Sequence, residues 1–151
     1  MLKNIWQSLE YPIISLAPMS GVTDSPFRII ARKYGATLLF TEFASVTAIE
    51  YKNPASELIL YHVPEETPII VQLFGKDPEH FAYAVDHVSK RKFEGIDINF
   101  GCPAKKVVSG GSGCFLMTNE KLAREIVLRA LENTDLPISL KFRMSYKGIS
   151  I

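Results

Sequence analysis

Short apolar runs alternate with amphipathic stretches along the chain, and that alternation predicts repeated βα units. The runs at 13–17, 37–41, 69–73, 96–99 and 138–142 are mostly β-branched or apolar and too short for helices, so each is read as a strand of a parallel sheet. Between them, Ser25 before Pro26, Asn53 before Pro54 and Asp77 before Pro78 each set a capping side chain ahead of a proline suited to the first helical position. Phe27, Ile30, Ala31 and Tyr34 recur at helical spacing, as do Phe81, Ala84, Val85 and Val88, which predicts an apolar stripe on each of these two helices. Gly35 is placed to close the first in a left-handed conformation. A fourth helix is expected from about Thr118, with Leu122, Ala123, Ile126, Val127, Ala130 and Leu131 on its buried side.

Repeated βα units build either a doubly wound sheet or a (β/α)8 barrel, and periodicity does not separate the two. Side-chain alternation along the strands adds information. Gln72 shares a face with Ile70, Asn99 with Asp97, and Lys141 with Ser139, whereas the opposite faces of those strands are wholly apolar. The apolar faces belong under helices. The other faces bring two amides and an amine to the C-terminal ends of three strands, which is where a barrel carries its chemistry. Unpartnered and buried, each group would cost a few kcal/mol, so a polar ligand is expected there. A complete barrel takes about 250 residues, and 151 residues with five strands predict an α/β fold forming a partial (β/α)8 TIM barrel, about its first five βα strands.

Composition narrows the picture only a little. A hydrophobic content of 47% and a charged content of 22% suit one globular domain, and a net charge of +1 neither demands nor excludes a polyanionic partner. Cys102 and Cys114 match no zinc spacing and are too few for a disulfide scaffold, which points to a reducing, cytoplasmic setting. His62, His80 and His87 lack ligand spacing, so no metal site is expected. No leader and no membrane span is expected either. The glycine run 110–113 lacks the Lys-Ser/Thr ending of a phosphate-binding P-loop and is read as a mobile active-site loop. Glu42 and Asp97 are assigned to the same rim without a paired acid/base role.

The most specific stretch is 95–113, GIDINFGCPAKKVVSGGSG, in which a strand, a glycine turn and a cysteine precede a proline. Asn99, Gly101, Cys102, Pro103, Lys106 and Val107 form an N-x-G-C-P-x-x-K-V pattern. Upstream, Ala17, Pro18, Met19, Gly21, Val22, Thr23, Asp24, Phe27 and Arg28 read A-P-M-x-G-V-T-D-x-x-F-R, and Gln72, Leu73, Gly75, Asp77 and Pro78 read Q-L-x-G-x-D-P. Lys141 and Arg143 supply a K-x-R downstream. Together these motifs resemble tRNA-dihydrouridine synthases from about Ile13 to Arg143. Cys114 stands where that family usually has Ala or Ser, and Ser145 where Gly commonly follows.

The resemblance implies that residues 1–151 are the N-terminal portion of a flavin mononucleotide (FMN) binding barrel, truncated before its C-terminal half and a helical RNA-binding domain. It implies reduction of uridine to 5,6-dihydrouridine in tRNA, with NADPH or NADH as reductant. Pro18, Met19 and Ser20 would lie beside the isoalloxazine ring, Gln72 and Asn99 at its polar edge or on the uracil, and Lys141 at the N1/O2 side where charge gathers on reduction. Cys102 would be the general acid at C5 of the base, opposite in sense to a thiolate nucleophile. Free thiols titrate at about 8.5 and are protonated at neutral pH. Lys105, Lys106 and Arg143 are candidates for substrate contact, the lysines through RNA phosphates. Loops after strands 7 and 8 hold phosphate in such barrels, so FMN is expected to bind weakly here, and open barrel edges invite self-association. The competing expectations are an inactive fragment that only contacts RNA, and another FMN barrel oxidoreductase acting on a free pyrimidine.

Overall fold

The computed structural model describes residues 5–150. Its centre is a parallel sheet of β1 (Leu39–Ser45), β2 (Ile69–Phe74), β3 (Gly95–Phe100) and β4 (Ile138–Phe142), paired in sequence order. Every crossover advances by one strand without reversal. A doubly wound sheet reverses at a switch point, so the order identifies an arc of a (β/α)8 barrel.

The expected first strand is reduced to one parallel bridge, Ser15 to Leu38, supported by the Leu16 amide on the Leu38 carbonyl at 3.0 Å. Pro12 and Pro18 flank the segment and neither offers an amide hydrogen, which limits how far a ladder can extend. The second expected strand begins later than its apolar run and continues to Ser45, with a register shift between Phe40 and Phe43.

Helices α1 (Ile5–Ser8), α2 (Ser25–Lys33), α3 (Val46–Glu50), α4 (Pro54–Leu60), α5 (Pro78–Ser89), α6 (Lys105–Ser109) and α7 (Glu120–Leu131) complete the regular structure, with a small hairpin of β5 (Ser145–Tyr146) and β6 (Ile149–Ser150). Asn53 and Asp77 cap α4 and α5 as their sequence implies, accepting from the Ala55 and Glu79 amides. The cap of α2 is Asp24 rather than Ser25, whose hydroxyl instead donates to Glu66 at 2.6 Å. The helix expected from about Thr118 begins at Glu120, and Asn119 caps it. The run 110–113, read as an active-site loop, is a short connection that ends α6 and leads into a 3-10 turn, Gly113–Thr118, with the Ser112 amide bonded to the Val107 carbonyl at 3.1 Å.

The core lies between sheet and helices. Ile69, Val71, Leu73, Ile96, Ile98 and Phe100 on one sheet face pack with Phe81, Ala84, Val85 and Val88 of α5 and Ile126 and Ala130 of α7. Each fully buried aliphatic or aromatic side chain contributes roughly 1.5–3 kcal/mol. A smaller cluster of Ile5, Leu38, Phe40 and Ile70 occupies the other face, where α1 packs under the arc.

The stripe on α2 contradicts its expected burial: Phe27, Ile30 and Tyr34 are 41%, 55% and 90% exposed. Of the expected stripe Ala31 packs on the core, and it is joined there by Arg28, which has partners to satisfy it. On the far flank, Leu140 and Phe142 of the edge strand β4 are also exposed, and so is Leu131 of α7. No helix among the described residues is long and apolar enough to cross a membrane.

Candidate active site

Side chains join β2, β3 and β4 across one face of the sheet. Asp97, Gln72 and Asn99 are 3%, 0% and 8% exposed. Gln72 Nε2 donates to Asp97 Oδ2 at 2.6 Å, and Asn99 Nδ2 donates to Gln72 Oε1 at 3.0 Å. Ser139, opposite Asp97 in the β3–β4 register, donates its hydroxyl to Asp97 Oδ1 at 2.7 Å. Burial pushes the Asp97 carboxyl up, while the bonds from Gln72 and Ser139 and the charge of Lys141 pull it back.

Asn99 also shapes the loop that carries the cysteine. Its Oδ1 accepts from the Gly101 and Cys102 amides at 3.1 and 2.9 Å, an Asx-type turn that bends the chain out of β3. Arg143 donates from Nε to the Gly101 carbonyl at 2.8 Å, and the Cys114 amide donates to the Cys102 carbonyl at 3.0 Å. Gly113 permits this closure: at φ +61°, a Cβ there would lie 2.6 Å from the Cys102 carbonyl oxygen. Cys102 is half-buried at the loop's apex, whereas Cys114 is sealed behind it and burial pushes its thiol up, against the opposing influence of Arg143.

The loop following the 13–17 segment forms the opposite wall. Thr23 is buried and ties the turn, accepting from the Met19 amide at 3.0 Å, and Arg28 donates to the Thr23 carbonyl at 2.6 Å. Glu42, re-aimed by the β1 bulge, accepts from the Gly21 amide. Beside this wall lies a cleft of about 270 Å³ lined by Ala17, Pro18, Phe40, Asp97, Ser139 and Lys141, among others. Lys141 is exposed there, opposite Asn99 in register.

Among the residues singled out from sequence, Pro18 and Lys141 therefore share one cleft, and Gln72, Asn99 and the Cys102 loop share one hydrogen-bond chain. Met19 and Ser20 are exposed on the turn beside the cleft. Lys105 and Lys106 are exposed in the first turn of α6, and Arg143 anchors the cysteine loop through its Nε. Asp97, assigned to the rim from sequence, is buried instead, and Ser139 had no assigned role. The signal was present, since both alternate onto the polar face with Asn99 and Lys141. A lining of Ala17, Pro18, Phe40 and Leu140 with the Lys141 ammonium at its edge suits a flat, polar-edged heteroaromatic group, whereas Gln72 is satisfied at both ends by Asp97 and Asn99.

A larger cavity of about 760 Å³ opens at the opposite end of the strands, against Leu9, Phe93 and Leu136. Its Arg32 is committed to the Ala36, Glu66 and Pro68 carbonyls, and it lies away from Cys102. The described residues contain no group of three or more His, Cys, Asp or Glu side chains arranged for a metal.

Comparison with known proteins is consistent with this geometry. The family model described as Dihydrouridine synthase (Dus) matches residues 15–150. A tRNA-dihydrouridine synthase B of Pseudomonas aeruginosa is 38% identical over 131 residues, covering 87% of this chain and 40% of that protein. One from Xanthomonas campestris is 37% identical over 139 residues, covering 89% and 41%. A probable tRNA-dihydrouridine synthase of Rickettsia conorii is 39% identical over 135 residues, covering 88% and 40%. The chain thus spans about two fifths of the length of these curated relatives.

Proposed function

Since the chain belongs to the dihydrouridine synthase family, we propose that it carries the Cys102 side of a site that reduces uridine to 5,6-dihydrouridine in tRNA. The observation that carries the reading is the Asn99 turn, which holds Cys102 at the C-terminal end of β3, on the same rim as Lys141.

FMN, re-reduced by NADPH or NADH, supplies a hydride for C6 of the uracil when bound. Pro18, Met19 and Ser20 offer it backbone and apolar contact, and Lys141 a fixed cation for the charge of the reduced ring. Asn99 keeps one amide proton for the ring edge or the base, and Gln72, wholly buried, supports Asn99 from behind. Cys102 donates its thiol proton to C5, which requires the protonated thiol. Lys105 and Lys106, both exposed, are the candidates for contact with an RNA backbone, together with Arg143, which also anchors the cysteine loop. The cytoplasm is the matching compartment, because it keeps Cys102 reduced.

The test is to purify the protein, record its flavin absorbance, and incubate it with unmodified tRNA and NADPH. Dihydrouridine formed in the tRNA is the expected product. Colourless protein yielding none supports an inactive RNA-contacting fragment, and turnover of free pyrimidine without tRNA supports a different FMN oxidoreductase.

A further inference from the structure

We infer that Asp97 is a positioning residue for Cys102, acting through Gln72 and Asn99 by fixing which way each amide points.

An ionised carboxylate only accepts hydrogen bonds, whereas an amide side chain presents a donor on one side and an acceptor on the other. Asp97 Oδ2 therefore demands the Nε2 end of Gln72, found 2.6 Å away. That choice turns Gln72 Oε1 toward Asn99 and demands the Nδ2 end, found at 3.0 Å. Asn99 Oδ1 is left facing the loop, where it accepts from the Gly101 and Cys102 amides. Reversing either amide brings two donors or two acceptors together at each of its contacts. Without Asp97 the Gly101 and Cys102 amides are left to set the direction from the other end, and Gln72 Nε2 becomes a buried donor without its acceptor, which favours reversal of the chain. At 0–8% exposure for Gln72, Asp97 and Asn99, water has little access to repair a mismatch. Ser139 steadies the remaining carboxylate oxygen. A proton on Oδ1 would be shared with Ser139 and leave Oδ2 an acceptor, so the direction survives either charge state. Asp97 thus acts two residues away in contact order, and no bond of its own touches the thiol loop.

The consequence bears on the proton donor of the proposed reaction, but its test does not depend on that reaction. Amide hydrogen exchange of the full chain, without flavin or tRNA, reads the Gly101 and Cys102 amides directly. In Asp97→Leu their exchange should accelerate about tenfold, as expected for loss of roughly one hydrogen bond, while β2 amides stay protected. Asp97→Asn should restore near-normal exchange, since its Oδ1 can accept from Gln72 while its Nδ2 donates to Ser139 Oγ. Adding Ser139→Ala to Asp97→Asn removes that constraint and should accelerate exchange again. Unchanged Gly101 and Cys102 exchange in a folded Asp97→Leu protein overturns the inference. So does failure of Asp97→Asn to restore it, which would make charge rather than direction the cause. If Asp97→Leu also loses β2 protection, the comparison of Asp97→Asn with and without Ser139→Ala decides, and equal rates overturn the inference. A protein that exchanges as expected yet forms no dihydrouridine would refute the proposed activity alone.

Discussion

Arg28 and Glu66 form an ion pair with both side chains withdrawn from water, 1% and 0% exposed. Arg28 further donates to the Thr23 and Tyr61 carbonyls at 2.6 and 2.8 Å, and Glu66 accepts from the Ser25 hydroxyl and the Val63 amide. One pair thereby ties the wall of the cleft to α2, to the end of α4 and to the turn before β2.

Removing one partner leaves the other charge buried and alone. Arg28→Ala should cost about 3–5 kcal/mol of stability, read from the urea midpoint. Replacing both, as Arg28→Met with Glu66→Leu, should cost less than the two single changes added together. A loss under about 1 kcal/mol in Arg28→Ala would show that the pair behaves like an exposed one.

Cys102→Ala, in a protein shown to bind flavin and modify tRNA, should keep its flavin absorbance and lose at least about a hundredfold in dihydrouridine formation, the usual share of a general acid. An undiminished yield would remove Cys102 from the mechanism.

Gly113 and Gly35 both have positive φ, but only Gly113 lacks space for a Cβ. Gly35→Ala should show the backbone cost alone, on the order of 1 kcal/mol. Gly113→Ala should cost more and should also change the rate at which iodoacetamide labels Cys102. Equal thermal shifts for the two variants would mean that the contact with the Cys102 carbonyl relaxes freely.

Burial raises the Asp97 carboxyl above its unfolded value of about 3.9. The folded state then binds the proton more tightly than the unfolded one, so Asp97 contributes stability that is complete below that value. The contribution is lost as pH rises through the raised one. Relative to Asp97→Asn, the protein should therefore lose stability on raising the pH from about 4 into the mildly acidic range. Parallel urea midpoints for the two proteins across that range would contradict the shift.

Much of the fold was legible locally. The β2, β3 and β4 runs and the α5 stripe are set by the period of their own residues, and Asn53 and Asp77 announce their caps because a cap is a contact between near neighbours. The α2 face was misread because Arg28 looks like a surface residue until Glu66, distant in sequence, arrives to neutralise it. The β1 bulge and α3 gave no periodic signal of their own.

The order of apolar and polar residues by itself determined the βα alternation and most of the helix-covered face of the sheet, since each depends on spacing within a few residues. Only the tertiary structure decided that Gln72, Asp97, Asn99 and Ser139 join into one directed chain. Parallel strands bring these residues together across long crossovers, and hydrogen-bond direction exists only once donor and acceptor meet.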